Sequence, residues 1–197
     1  MCYYTCKDWM NNSLAQNHMK NRMYWLYSIF GFSLYNCYHS SLYETIEYNP
    51  YSLISINCYF FLSYICWDIF KMIFTPGLYR NDLMIHHMVC LYFGYQITNT
   101  ISLIGNWCGI CECISLLNYV FIEPKYANYL IRYRLFCIFC IRMPIWFYLL
   151  NYKYYYIDLY LQQDLQYFAH IHLSCFYFYI MYDLFLIYRN VNSYLHR

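Results

Sequence analysis

"LMIHHMVCLYFGYQITNTISLIGNWCGICECISLLNYVF", Leu83 to Phe121, decides how this chain must fold. Its 39 residues hold one acid, two adjacent histidines and no lysine, arginine or proline. As a single helix it would extend about 58 Å at 1.5 Å per residue, nearly twice the thickness of a bilayer's hydrocarbon core. It therefore has to turn back on itself. The residues at which it can do so are Thr98, Asn99 and Thr100, or Gly105 and Asn106.

The rest of the chain reads in the same way. With 62% hydrophobic and 25% aromatic residues and a mean hydropathy of +0.25, a 197-residue chain has more apolar surface than a soluble domain of that size can hide. Lipid is the solvent this composition suits. Thirty tyrosines and twelve cysteines carry the mark of a biased codon usage, so no single one of them counts as selected. Apolar stretches run over Tyr24–Leu42, Tyr51–Phe74, Leu83–Thr98, Ile101–Ile122, Leu130–Leu150 and Leu165–Tyr188, each near the roughly 20 residues that cross a bilayer as helix. The expectation is an all-α polytopic membrane protein, a bundle of about six transmembrane helices. Pro50, Pro76 and Pro124 fall at segment boundaries, whereas Pro144 lies inside the fifth stretch and predicts a kink near Cys140 and Ile141.

Charge gives the orientation. Six spans place Lys7, Lys20, Arg22, Lys71, Arg80, Lys125, Arg132, Arg134, Arg189 and Arg197 on one side of the membrane and Lys153 alone on the other, with Arg142 inside it. That bias puts both termini in the cytosol. A cytosolic segment at 1–22, a transmembrane domain at 23–189 and a short cytosolic tail at 190–197 follow. The net charge is +2 and the basic residues are scattered, which excludes a nucleic-acid surface.

Ionisable side chains inside a span are costly unless they face the interior and find a partner. They are Asp68, Asp82, His86, His87, Glu112, Arg142 and Asp183. A hairpin between the second and third spans brings Asp68 to the level of Asp82, His86 and His87. Asp82 and His86 are four residues apart on one helical face, so the carboxylate can orient the imidazole as a general base or nucleophile; a polar anchor at the interface fits equally well. Glu112 and Arg142 share mid-span depth and are expected to pair. Cys108, Cys111 and Cys113 lack the second ligand pair of a structural zinc site and read as core thiols. The histidines are too widely spread for a di-iron cluster. No metal or cofactor is expected.

"WDIF" at 67–70, "DLMIHHMV" at 82–89, "ECISLLNYV" at 112–120 and "CIRMPIW" at 140–146, in this order, resemble the TLC domain of multi-pass membrane proteins, and His39 resembles a histidine often found in that family's first helix. The resemblance spans about Met23 to Arg189. It implies an endomembrane protein, in the endoplasmic reticulum or a related compartment, with a polar cavity among its helices and membrane lipids as partners. Ceramide synthases, the enzymes of that family, share the double histidine. They continue with an HDxxD-type motif in the following helix, where this chain has Glu112, Ser115 and Asn118, and in this respect it is closer to the non-synthase members. Three readings stay open. The first is a protein that binds lipid or modulates membrane lipid composition. The second is an N-acyltransferase using His86 or His87 with Asp82, taking acyl-CoA as co-substrate. The third is an endomembrane trafficking or cargo receptor with membrane-protein partners. Asp68, Glu112, Ser115, Asn118 and Arg142 are the candidates for holding a substrate.

The orientation makes one direct prediction. The Asn11–Asn12–Ser13 sequon faces the cytosol and stays unmodified in glycosylating membranes, as a glycosidase-shift assay on the native chain measures. Glycosylation at Asn11 defeats the six-span orientation.

Overall fold

The computed structural model describes residues 13–40, 51–75, 77–98, 102–117, 126–151 and 166–195, and every regular element among them is helical. They are α1 (Ser13–His39), α2 (Leu53–Phe74), α3 (Asn81–Thr98), α4 (Ser102–Cys111) with a 3-10 turn at Glu112–Ser115, α5 (Ala127–Cys137), a π-helical turn at Ile138–Arg142, α6 (Met143–Asn151) and α7 (Gln166–Leu195). Two helical runs are long and apolar enough to cross a membrane by length and composition, Leu53–Phe74 and Asn128–Asn151. The chain divides into two compact units, Met1–Leu130 and Ile131–Arg197.

In the first unit, α1, α2, α3 and α4 pack on one another. The buried side of α1 is a single stripe through Ala15, His18, Arg22, Leu26, Ile29, Ser33 and Asn36, at the alternating three- and four-residue steps of a helix face turned inward. Hydropathy placed the first span's start at Tyr24, but the helix begins at Ser13. Residues 13–22, expected in a cytosolic segment, therefore extend α1 and carry His18 and Arg22 into the interior. Against this stripe α2 sets Asn57, Tyr64 and Asp68, which meet Ser33, Arg22 and the His18–Arg22 pair in turn. Rings fill the gap between the two: Trp25 lies 4.7 Å from Phe60 and 6.2 Å from Trp67 between centroids.

The start of α2 is set by Ser52, whose Oγ accepts from the Ser55 N–H at 3.2 Å. Its end is set by the turn that follows, in which the Leu78 N–H donates to the Thr75 carbonyl and Gly77 takes φ 85°, a left-handed conformation open to glycine. Leu78 is buried against Ala15 of α1, which fixes where α3 starts. Of the residues expected to break Leu83–Phe121, Thr98 is the last of α3, Gly105 and Asn106 lie inside α4, and Asn99 and Thr100 lie outside the described residues. Close approach explains two glycines. A Cβ at Gly94 would come 2.7 Å from Leu62 Cδ2, and one at Gly109 would overlap the Ser33 hydroxyl.

In the second unit α6 packs against α7. The kink expected from Pro144 takes the form of the π turn just before it. The Met143 N–H donates to Ile138, five residues back, and Pro144 offers no donor of its own. Pro50, Pro76, Pro124 and Asn118 lie outside the described residues.

Gly109 carries the prediction for this packing. Gly109→Ala forces the Ser33 hydroxyl, hydrogen-bonded to Asn57 at 2.9 Å, out of place. A loss of roughly 1–3 kcal/mol is expected in detergent unfolding, partly recovered by adding Ser33→Ala. Wild-type stability in Gly109→Ala would contradict the close approach of α1 and α4.

Candidate functional site

Asp68 is the centre of the first unit. Its carboxylate is fully buried and faces three cations or potential cations from two other helices. His18 Nε2 lies 2.7 Å from Oδ1, Arg22 Nε 3.3 Å from the same oxygen, and His87 Nδ1 3.2 Å from Oδ2. Arg22 Nε also donates to the Tyr64 hydroxyl at 3.1 Å. Trp67 stacks on the His18 ring at 5.2 Å, and Tyr64 meets His87 edge-on. Each part of this arrangement has a local cause. Asp68 falls on the inward side of α2, His18 and Arg22 are one turn apart on the inward stripe of α1, and α3 presents His87 to its neighbour α2.

His86, beside it, points elsewhere. Its imidazole approaches Cys90 Sγ, one turn along α3, with S···N distances of 3.5 Å to Nε2 and 3.8 Å to Nδ1. Glu112, opening the 3-10 turn after α4, brings Oε1 to 3.9 Å from His86 Nε2. The expected orienting role of Asp82 takes another form, because its carboxylate is held in a fork by Arg80, at 2.7 Å and 3.3 Å, where both side chains are partly exposed. Arg80, two residues earlier, is the nearer and permanent charge. Ser115 lines a cavity of about 10 Å³ together with Arg22, Met19, Met23 and Leu26. That is room for about one water. His39 is exposed at the end of α1, among Tyr35 and Tyr38, away from the carboxylate of Asp68.

Glu112 and Arg142, expected to pair, each have an ionisable partner within their own unit: His86 and Asp183. Arg142, in the second unit, is held bidentately by Asp183 of α7, Nη2 to Oδ1 at 2.7 Å and Nε to Oδ2 at 3.0 Å. Trp146 Nε1 donates to the same Asp183 Oδ2 at 2.8 Å while its ring stacks on Tyr179 at 4.9 Å. Oδ2 accepts from both Arg142 Nε and Trp146 Nε1, while the Nη2–Oδ1 approach is an ion-pair contact, and both charged side chains are buried. Shared depth was the argument for Glu112, but Asp183 has depth and a facing helix together.

A second polar cluster, at the other end of α1 and α2, was not expected. Asn106 Oδ1 accepts from Asn36 and Asn57 at 2.8 Å and 2.7 Å, and its Nδ2 donates to the Ile54 and Ser102 carbonyls. Ser55 and Ser102 join hydroxyls at 2.9 Å. All five side chains are buried. Asn106 was a candidate turn residue; it is instead the hub where three apolar helices cross. The signal that would have found these residues is the inward stripe of α1, which continues from Ile29 to Ser33 and Asn36 and, in the other direction, through Arg22 to His18.

No known family profile, curated protein or solved structure matches the chain. The site therefore rests on its own geometry. It is a buried carboxylate holding two imidazoles and a guanidinium, with a second imidazole–carboxylate pair beside it. Such a group can orient histidines and hold a proton among them. Among the described residues no set of three or more His, Cys, Asp or Glu side chains is arranged to hold a metal ion.

The Arg142–Asp183 fork is tested by a double-mutant cycle. Arg142→Gln or Asp183→Asn alone strands a buried charge and is expected to cost roughly 3–5 kcal/mol, with the double substitution costing much less than the sum. Additive losses in detergent unfolding would contradict the pair.

Proposed function

We propose that the chain is a six-span membrane protein of TLC type, with both termini in the cytosol of an endomembrane such as the endoplasmic reticulum, that binds lipid and modulates membrane lipid composition. The observation that supports this reading is an inverted distribution of polarity. Asp68, Asn106 and Asp183 are wholly buried, whereas Tyr24, Phe32, Phe70, Phe74, Ile85, Tyr92, Phe139 and Met181 are more than half exposed. Water would reward the opposite arrangement, while lipid rewards this one. The cavity beside Arg22 has room for about one water, so lipid is expected on the outside of the helices. An open groove of about 510 Å³, lined by Tyr27, Ser28, Gly31, Phe32, Tyr35 and Leu53, has the size and apolar character for an acyl chain. Gly31 forms its floor, where an added Cβ would meet nothing within 4 Å.

A second reading, the N-acyltransferase, is favoured by one specific observation. His18 and His87 take opposite oxygens of Asp68, the setting of an oriented base or nucleophile. The neighbouring cavity of about 10 Å³ has to enlarge before an acyl-CoA can reach either ring. Such chemistry would appear as an acyl adduct on His86 or His87.

The groove is tested by filling it. Gly31→Trp, reconstituted in nanodiscs containing a phospholipid with a photoactivatable acyl chain, should lose most crosslinking to peptides 27–35 while keeping the wild-type melting temperature. Undiminished crosslinking in the folded variant would remove the groove from the account.

A further inference from the structure

Cys90, His86 and Glu112 form an arrangement that neither reading above uses. The thiol and the imidazole are one turn apart on α3, so their facing is fixed by helix geometry, and the carboxylate comes from the turn after α4. Cys90 and His86 are buried, and Glu112 keeps a partly exposed edge. A thiol at 3.5 Å from an imidazole nitrogen can pass its proton to that nitrogen, and the thiolate is the nucleophilic form. Glu112 approaches the same nitrogen at 3.9 Å, so it acts as counter-charge to the imidazolium that forms. The alternating contacts of His86 and His87 give the two rings separate partners, with His87 on Asp68 and His86 on Cys90 and Glu112.

We infer that Cys90 is an acyl-acceptor thiol, activated by His86 with Glu112 as counter-charge, which takes a long-chain acyl group from an acyl thioester. In the first half of the exchange the Cys90 S–H proton moves to His86 and the thiolate sulfur attacks the thioester carbonyl. In the second half the bond from the acyl carbon to the carrier sulfur breaks, and the departing thiolate takes the proton back from His86. One S–C bond forms and one breaks, the carrier leaves as a free thiol, and nothing is oxidised or reduced. The inference goes beyond lipid binding in the groove and does not depend on it.

The test uses the full chain in nanodiscs with palmitoyl-CoA, read by intact mass and peptide mapping. One palmitoyl group on the peptide carrying Cys90, removed by hydroxylamine at neutral pH, is the expected result. Cys90→Ala should abolish it, and Cys66→Ala with Cys140→Ala, at two exposed cysteines, should leave it in place. His86→Gln should slow its appearance at least tenfold and Glu112→Gln several-fold. Mapping needs only the wild-type chain, so a Cys90 variant that fails to fold leaves the result readable. An acyl group mapped to His86 or His87 overturns the inference in favour of the acyltransferase reading. So does an adduct formed at wild-type rate in His86→Gln, or the absence of any adduct on folded wild type. Groove crosslinking is measured separately, so the two proposals fail independently.

Discussion

The buried carboxylate of Asp68 constrains the first unit more than any apolar contact. A lone carboxylate without water carries a desolvation penalty of several kcal/mol, so the helices around it have to bring compensating groups to within bonding distance. Three side chains from α1 and α3 do so. An apolar seam tolerates sliding and rotation; an ion cluster does not. The register between α1 and α2, and the return of α3 onto both, are consequently specified at one point. The asparagine cluster on the same helices specifies them at another. With both ends of α1 and α2 pinned, the apolar side chains between, such as Leu26, Ile29, Leu62 and Ile65, have only to fill space.

The same logic separates the candidate chemistry into two parts. Asp68 is enclosed by the Arg22 guanidinium and two imidazoles, beside a cavity with room for about one water, and its first task is to hold helices together. His86, with Cys90 and Glu112, has a looser geometry, and looser contacts belong where groups must exchange protons or partners. Adjacent histidines in the sequence thus serve different neighbours, because successive residues on a helix point about 100° apart.

Hydropathy and segment length made the helical class and the division of Leu83–Phe121 into two helices legible, and Pro144 announced the irregularity before it. The membership of the site was only half legible. Asp68 and His87 stood out because charge inside an apolar run is rare. His18 and Arg22 were lost because hydropathy starts the span at Tyr24, although the helix already includes Ser13 to Met23. The three- and four-residue stripe leading back from Leu26 carried the information that average hydropathy discards. Asn106 was read as turn punctuation, a fair reading of glycine–asparagine in isolation, and its burial is decided by the helices that cross there. Asp183 was missed as a partner of Arg142 for a related reason. A one-dimensional depth cannot say which helix faces which, and the π turn at Ile138–Arg142 re-aims the guanidinium by an amount that no periodicity encodes.

The partners of Asp68 and Arg142 also differ in when a ribosome makes them. Arg22 and His18 precede Asp68 by about fifty residues, so in a bilayer α2 would leave the translocon with a waiting counter-charge on α1, and the two helices could enter lipid as a neutral pair. Arg142 has the opposite timing. Asp183 is synthesised 41 residues after it, and until then the guanidinium has to remain in an aqueous or protein-lined shelter. In the proposed membrane setting, the first half of the chain could enter lipid as it emerges, whereas the second half would wait for α7.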